Sequence, residues 1–189
     1  MIRIGILGKI GSGKSYIADN FGFPVFNADK EVAKIYRKNK KIFLKLNKEL
    51  PKYIRTFPIN KIEITKAILG NNKNLKKIIV IVHKEIRKRI KLFLNKNKNK
   101  KIIILDVPLL LENDLNKKKD ILVFVKSKKK DIEKRLKKRP LFNKRLINKF
   151  RKIQYSSKYK ETKSHFIINN NFTKKSVRIG IKNILDKIN

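Results

Sequence analysis

Cysteine and tryptophan are both missing from the 189 residues, and methionine occurs once. Without a thiol the chain forms no disulfide and no thiolate metal site. The two histidines, His83 and His165, stand far apart in sequence, which argues against a histidine-based metal cluster. No apolar run approaches the roughly 20 residues that cross a bilayer. The opening MIRIGILGKIG is too short in apolar residues and too rich in glycine for a secretion signal, so the expected location is the cytoplasm, with no membrane partner. Acidic residues are scarce: 14 Asp+Glu stand against 52 Lys+Arg, a formal net charge of +38.

That charge has two readings. One is a surface for nucleic acid or a membrane. The other is coding bias, since Lys, Ile and Asn crowd the whole chain and all three use A- and T-rich codons. The lysines are spread evenly rather than gathered into a patch, and no nucleic-acid recognition motif is present, so no specific nucleic-acid partner is expected. Hydrophobic residues make up 41%, and the length suits one compact domain, expected to be a monomer.

Short β-branched runs alternate with helical patterns. Ile2–Leu7, Pro24–Phe26, Ile102–Val107, Ile121–Val125 and Phe166–Ile168 read as five strands. Helical spacing covers residues 15–21, 28–38, 59–69, 75–94 and a stretch starting at Ile132, and the last helix buries Val177, Ile181, Ile184, Leu185 and Ile188. Residues 39–60 are ambiguous: an Ile42/Phe43/Leu46 helical face gives way to Pro51 and Pro58. The alternation, and unbroken apolar strands such as 102–107, predict an α/β three-layer sandwich around a mostly parallel five-stranded sheet.

The one strong motif is Gly8-Lys9-Ile10-Gly11-Ser12-Gly13-Lys14-Ser15, which fits G-x-x-x-x-G-K-[ST] without exception between a strand and a helix. At the residue frequencies of this chain roughly 0.004 chance matches are expected. Glycines let successive backbone N–H groups face one phosphate. Lys14 would bridge the outer phosphates of ATP and the Ser15 hydroxyl would ligate Mg²⁺.

Other residues read two ways on their own. Asp29, after the second strand, suits a general base or a helix cap. Asp106, late in the central strand, suits a carboxylate reaching Mg²⁺ through water or a cap of the next turn. Pro108–Leu111 suits a site turn or a buried strand end, Arg135 and Arg139 a phosphate clamp or a solvated helix face, and His83 a ligand contact or a packed histidine.

Taken together, GILGKIGSGKS, FNAD (26–29), VPLLLEN (107–113), Gln154 and HFIINN (165–170) resemble the dephospho-CoA kinase family in order and spacing over nearly the whole chain. The resemblance implies a P-loop NTPase fold with a helical acceptor-binding excursion at 39–95 and a lid at 135–150. It implies ATP-dependent phosphorylation of the ribose 3′-hydroxyl of dephospho-CoA. Gly8, Gly11, Ser12, Gly13, Lys14, Ser15 and Tyr16 then bind ATP, Asp29 is the base, and Arg135 and Arg139 stabilise the transferring phosphate. Asn170 lies beside the adenine, and Lys61, His83, Pro108, Leu109, Leu110 and Glu112 line the acceptor site. The sequence departs from the family pattern at Asn27 (an Asp there), Lys9 (Gly), Tyr16 (Thr), Lys84 (Pro), Lys61 (near an Arg) and Ser164-His165 (Ala-Asp). These departures bear on acceptor affinity more than on chemistry. Two rivals are another small-molecule kinase and a nucleic-acid-dependent NTPase; a third is a binding-only relative.

Overall fold

The computed structural model describes residues 1–138 and 142–188. Among these, the order is β1 (Ile2–Gly8), α1 (Lys14–Asp19), β2 (Val25–Asn27), α2 (Ala28–Lys38), α3 (Lys40–Glu49), α4 (Lys61–Gly70), α5 (Asn72–Lys96), β3 (Ile102–Asp106), β4 (Ile121–Lys126), α6 (Lys129–Lys137), α7 (Lys144–Lys152), α8 (Ser157–Thr162), β5 (Phe166–Asn169) and α9 (Lys174–Ile188). The chain forms two compact units, one of residues 1–27, 97–142 and 153–189, the other of 28–96 and 143–152.

The first unit holds the sheet, in the order β2-β3-β1-β4-β5. All five strands are parallel, with Ile4 opposite both Ile104 and Ile121, and Phe124 opposite Ile167. Parallel pairing demands cover on both faces, which accounts for the unbroken apolar runs. One face packs Ile4, Ile6, Ile102, Ile104, Val123, Val125 and Ile168 against Ile17 and Phe21 of the α1 region and Val177, Ile181 and Ile184 of α9. On the other, Leu110 closes over Gly5, where any side chain would collide with it.

Sequence and structure differ at a few boundaries for local reasons. The second strand runs one residue later than the apolar pattern indicates, because Pro24 has no N–H to give the ladder and offers only its carbonyl, to Ile104 N–H at 2.9 Å. The helix expected over 15–21 stops at Asp19; Asn20 caps it, and its Nδ2 donates to Tyr16 O at 2.7 Å. At the start of β5, His165 restores an acceptor: its Nδ1 takes the N–H of Leu122 at 2.9 Å while its own N–H goes to Leu122 O at 2.8 Å.

A buried ion pair sits at the amino end of the sheet. Arg3 meets Asp120 at 2.9 Å, and Asp120 also accepts from Lys117 N–H at 2.8 Å. Burial pushes the Asp120 carboxyl above its ordinary range, outweighing the hydrogen bond from Lys117 and the charge of Arg3.

The second unit is helical, with α2, α3 and α4 packed on α5. The ambiguous 39–60 stretch resolves into α3, capped by Asn39 Oδ1 from Ile42 N–H at 3.0 Å. That helix ends at Leu50, which leaves helical geometry immediately before Pro51. Helix α7 is short and buries no residue fully, but it half-buries Leu146, Ile147 and Phe150 on one face. Lys149 adds to its hold: Nζ donates to the terminal carbonyls of α4 at Ile68 O (2.8 Å) and Leu69 O (3.4 Å), and to Asn72 Oδ1 (2.9 Å). A cation on the otherwise unpaired carbonyls of a helix end is favourable.

Candidate functional site

Residues 8–15 leave the carboxyl end of β1, the central strand, and form a loop that closes into α1. In open parallel sheets this edge is where ligands collect. The loop needs glycine at two points in particular. Gly8, at φ 148°, would put a Cβ 2.8 Å from Val125 O, a backbone atom unable to move aside. Gly13, at φ 94° and ψ 17°, is the left-handed residue that turns the chain into α1. Ser12 N–H donates to Lys9 O at 3.1 Å, closing the turn. Lys14 arches back across the loop, its Nζ 3.1 Å from Gly8 O and 2.9 Å from Lys9 O. Helix α1 has only six residues, so its dipole is small and the glycine loop itself must supply most of the amide field for an anion.

Behind the loop lies Asn170, just past β5. Its Nδ2 donates to Ser12 O at 2.8 Å, and its Oδ1 accepts from Phe172 N–H at 2.9 Å. The Arg135 guanidinium stacks 4.4 Å from the centre of the Phe172 ring, a cation–π contact. The structure thus brings Gly8, Gly11, Ser12, Gly13, Lys14, Ser15, Asn170 and Arg135 into one neighbourhood, with Tyr16 exposed on α1. Phe172 and Ser127, whose Oγ donates to Ser12 O at 3.0 Å, belong to the same neighbourhood but carry no motif signal. Arg139 lies outside the described residues.

At the end of the neighbouring β3, Asp106 is buried, and its Oδ2 accepts from Asn27 Nδ2 at 2.7 Å. The amide at position 27 lets the two side chains meet without like-charge repulsion. Pro108, Leu109, Leu110 and Glu112 form the turn after β3. That turn is tied down by Gln154 Nε2 on Pro108 O (3.3 Å), and by Glu112 Oε1, which receives Tyr155 N–H (2.8 Å) and Lys160 Nζ (2.7 Å). The Lys160 and Glu112 side chains are only 3% and 7% exposed, and Glu112 Oε2 is buried without a hydrogen-bond partner. Sequence reasoning missed Lys160 because one lysine among so many carries no signal.

Asp29, Lys61 and His83 belong to the second unit. Asp29 is exposed in the first turn of α2, where a carboxylate suits the helix dipole. Lys61 is the exposed first residue of α4, and His83 is half-buried on α5. Between α2 and α5, Glu31 meets Lys34 and Arg89, each at 2.7 Å. Partial burial raises the Glu31 pKa, but hydrogen bonds and charge from Lys34 and Arg89 outweigh it and hold the carboxyl below its ordinary value. Burial pushes the Tyr36 phenol up.

Among the described residues no group of three or more His, Cys, Asp or Glu is placed to hold a metal ion. The donors at the loop are hydroxyl and amide groups, which fit a Mg²⁺ ligated mainly by phosphate oxygens and water, with Ser15 exposed at the loop's end. Among the described residues no helix is long and apolar enough to cross a membrane.

A family model described as dephospho-CoA kinase matches residues 2–175. A dephospho-CoA kinase of Wolbachia sp. subsp. Brugia malayi is 33% identical over 190 residues, covering 98% of this chain and 97% of that protein. Among solved structures, a protein of Thermus thermophilus superposes with a TM-score of 0.75 at 21% identity, covering 100% and 98% of the two chains. A dephospho-CoA kinase of Campylobacter jejuni superposes with a TM-score of 0.61 at 22% identity, covering 98% and 96%. At these identities the structural likeness speaks for the fold, while the family match speaks for kinship.

Proposed function

This chain belongs to the dephospho-CoA kinase family, and we propose that it transfers the terminal phosphoryl group of ATP to the ribose 3′-hydroxyl of dephospho-CoA, giving ADP and CoA. The observation that carries this reading is the family match over residues 2–175 combined with an intact phosphate loop. The loop amides and Lys14 hold the phosphates of ATP, and Lys14 follows the charge as it moves onto the leaving ADP. Asp29 orients the acceptor hydroxyl and takes its proton as the oxygen attacks the γ-phosphorus. The Ser15 hydroxyl would help hold Mg²⁺, which when bound would supply positive charge beside the outer phosphate oxygens.

Lys61 and His83, and on the first unit Pro108, Leu109, Leu110 and Glu112, are proposed as acceptor-binding residues. Residues 135–150, including Arg135 and Arg139, form a lid that keeps water from the phosphate. On this reading the protein acts as a cytoplasmic monomer with no specific nucleic-acid partner.

A coupled assay with ATP, Mg²⁺ and dephospho-CoA tests the reading. ADP and CoA should appear in equal amounts, and nucleoside monophosphates, shikimate and deoxynucleosides should be poor acceptors. ADP formation without CoA, or faster turnover of another acceptor, sinks it.

A further inference from the structure

The Ser12 carbonyl is held from behind by two side chains that come from different parts of the sheet edge. Ser127, one residue past β4, donates its hydroxyl at 3.0 Å, and Asn170, one residue past β5, donates Nδ2 at 2.8 Å. Both Ser12 and Asn170 are buried, at 0% and 4% exposure. Asn170 is itself fixed at its main-chain N–H and at both side-chain polar atoms. Its N–H donates to Lys126 O at 2.7 Å, its Oδ1 accepts from Phe172 N–H, and Nδ2 is the donor to Ser12. The amide fits there only because residue 13 is glycine: a Cβ on Gly13 would come 2.5 Å from Asn170 Nδ2.

The consequence follows from peptide geometry. In a planar trans peptide the C=O and the next N–H point in opposite directions. Two donors that pull the Ser12 carbonyl towards the sheet therefore turn the Gly13 N–H away from it, into the hollow of the loop. A left-handed glycine flips its flanking peptides at little steric cost. A flipped Ser12–Gly13 peptide would aim a carbonyl oxygen, not a donor, at a bound phosphate. The geometry points to Ser127 and Asn170 as positioning residues that hold the phosphate nest in its donor-inward state. In this role Asn170 serves the phosphates rather than the base. The inference rests on the loop binding a nucleotide, as proposed above.

The test separates phosphate affinity from base recognition. Calorimetry with Mg²⁺ measures binding of ATP, GTP, adenosine and inorganic tripolyphosphate to wild type, Ser127→Ala, Ser127→Thr and Asn170→Asp. Ser127→Ala should weaken ATP and tripolyphosphate by the same factor, several-fold to about tenfold, the worth of one hydrogen bond. Ser127→Thr should restore both. Asn170→Asp, which keeps the acceptor for Phe172 but replaces the donor, should weaken them further while leaving the ATP-to-GTP preference and adenosine binding unchanged. The inference is overturned if tripolyphosphate binding is unaffected in Ser127→Ala and Asn170→Asp, or if Asn170→Asp changes the ATP-to-GTP preference instead. Should Asn170→Asp fail to fold by thermal melting, the Ser127→Ala and Ser127→Thr pair decides alone. Wild type that binds neither ATP nor tripolyphosphate would defeat the loop reading and this inference together. Wild type that binds both but does not phosphorylate dephospho-CoA would defeat only the acceptor assignment.

Discussion

In the proposed mechanism Lys14 moves with charge: its flexible ammonium bridges two loop carbonyls, which it would exchange for phosphate oxygens. Lys14→Met should therefore lower kcat by about a hundredfold or more, the scale of losing one preorganised donor to transition-state charge, with the melting temperature nearly unchanged. Steady-state kinetics beside a thermal melt measures both. Asp29 behaves differently. Exposed in the first turn of α2, it is outside the network that fixes the loop. Asp29→Ala should leave ATP binding intact and cut transfer by roughly 10²–10⁴-fold, the usual worth of a general base. Calorimetric ATP titration and the coupled assay separate these effects, and a fully active variant would remove Asp29 from its role.

Polar contacts add to apolar packing in holding several elements. The turn after β3 depends on Glu112 and its partner Lys160, both nearly out of water. Lys160→Met leaves a buried carboxylate without its cation, so it should cost about 3–5 kcal/mol in urea unfolding, while the double change with Glu112→Gln should recover part of the loss. In the helical unit, Glu31 joins α2 to α5 through Arg89. Its folded pKa lies below the ordinary 4.5, so the stability it adds is present above that value and drains away as pH falls through the folded pKa. Unfolding followed at pH 7 and pH 3 should show a smaller acid loss in Glu31→Gln than in wild type. Helices α7 and α8 escaped the sequence reading because they are short: α8 has six residues, and α7 has nine with only Leu146, Ile147 and Phe150 to mark its packed face, while Lys149 adds a polar hold on the carbonyls that end α4.

Over the whole molecule a formal charge of +38 repels itself and attracts anions. Both effects weaken with salt, since the screening length is about 10 Å at 0.1 M. Raising sodium chloride from low to moderate concentration should increase the melting temperature and also raise KM for ATP. Adding DNA or RNA should not stimulate turnover, and stimulation would favour a nucleic-acid role for the charge.

Two kinds of information were legible without coordinates. The phosphate loop was, because the chemistry of gripping a phosphate with main-chain amides demands glycines, a lysine and a hydroxyl at fixed spacing, as in Gly8–Ser15. The parallel sheet was, because strands covered on both faces must be apolar without alternation, as in Ile102–Leu105. Tertiary structure alone decided that Asn170 and Ser127 meet behind Ser12, that Lys160 neutralises Glu112, and that Asn27 serves Asp106. Each of these contacts, Ser127 and Asn170 each to Ser12, Lys160 to Glu112 and Asn27 to Asp106, joins residues 48 or more positions apart through one hydrogen bond or ion pair. A single polar contact of that span leaves no periodicity, and among so many lysines and asparagines the partner is chosen only by where the folded backbone places it.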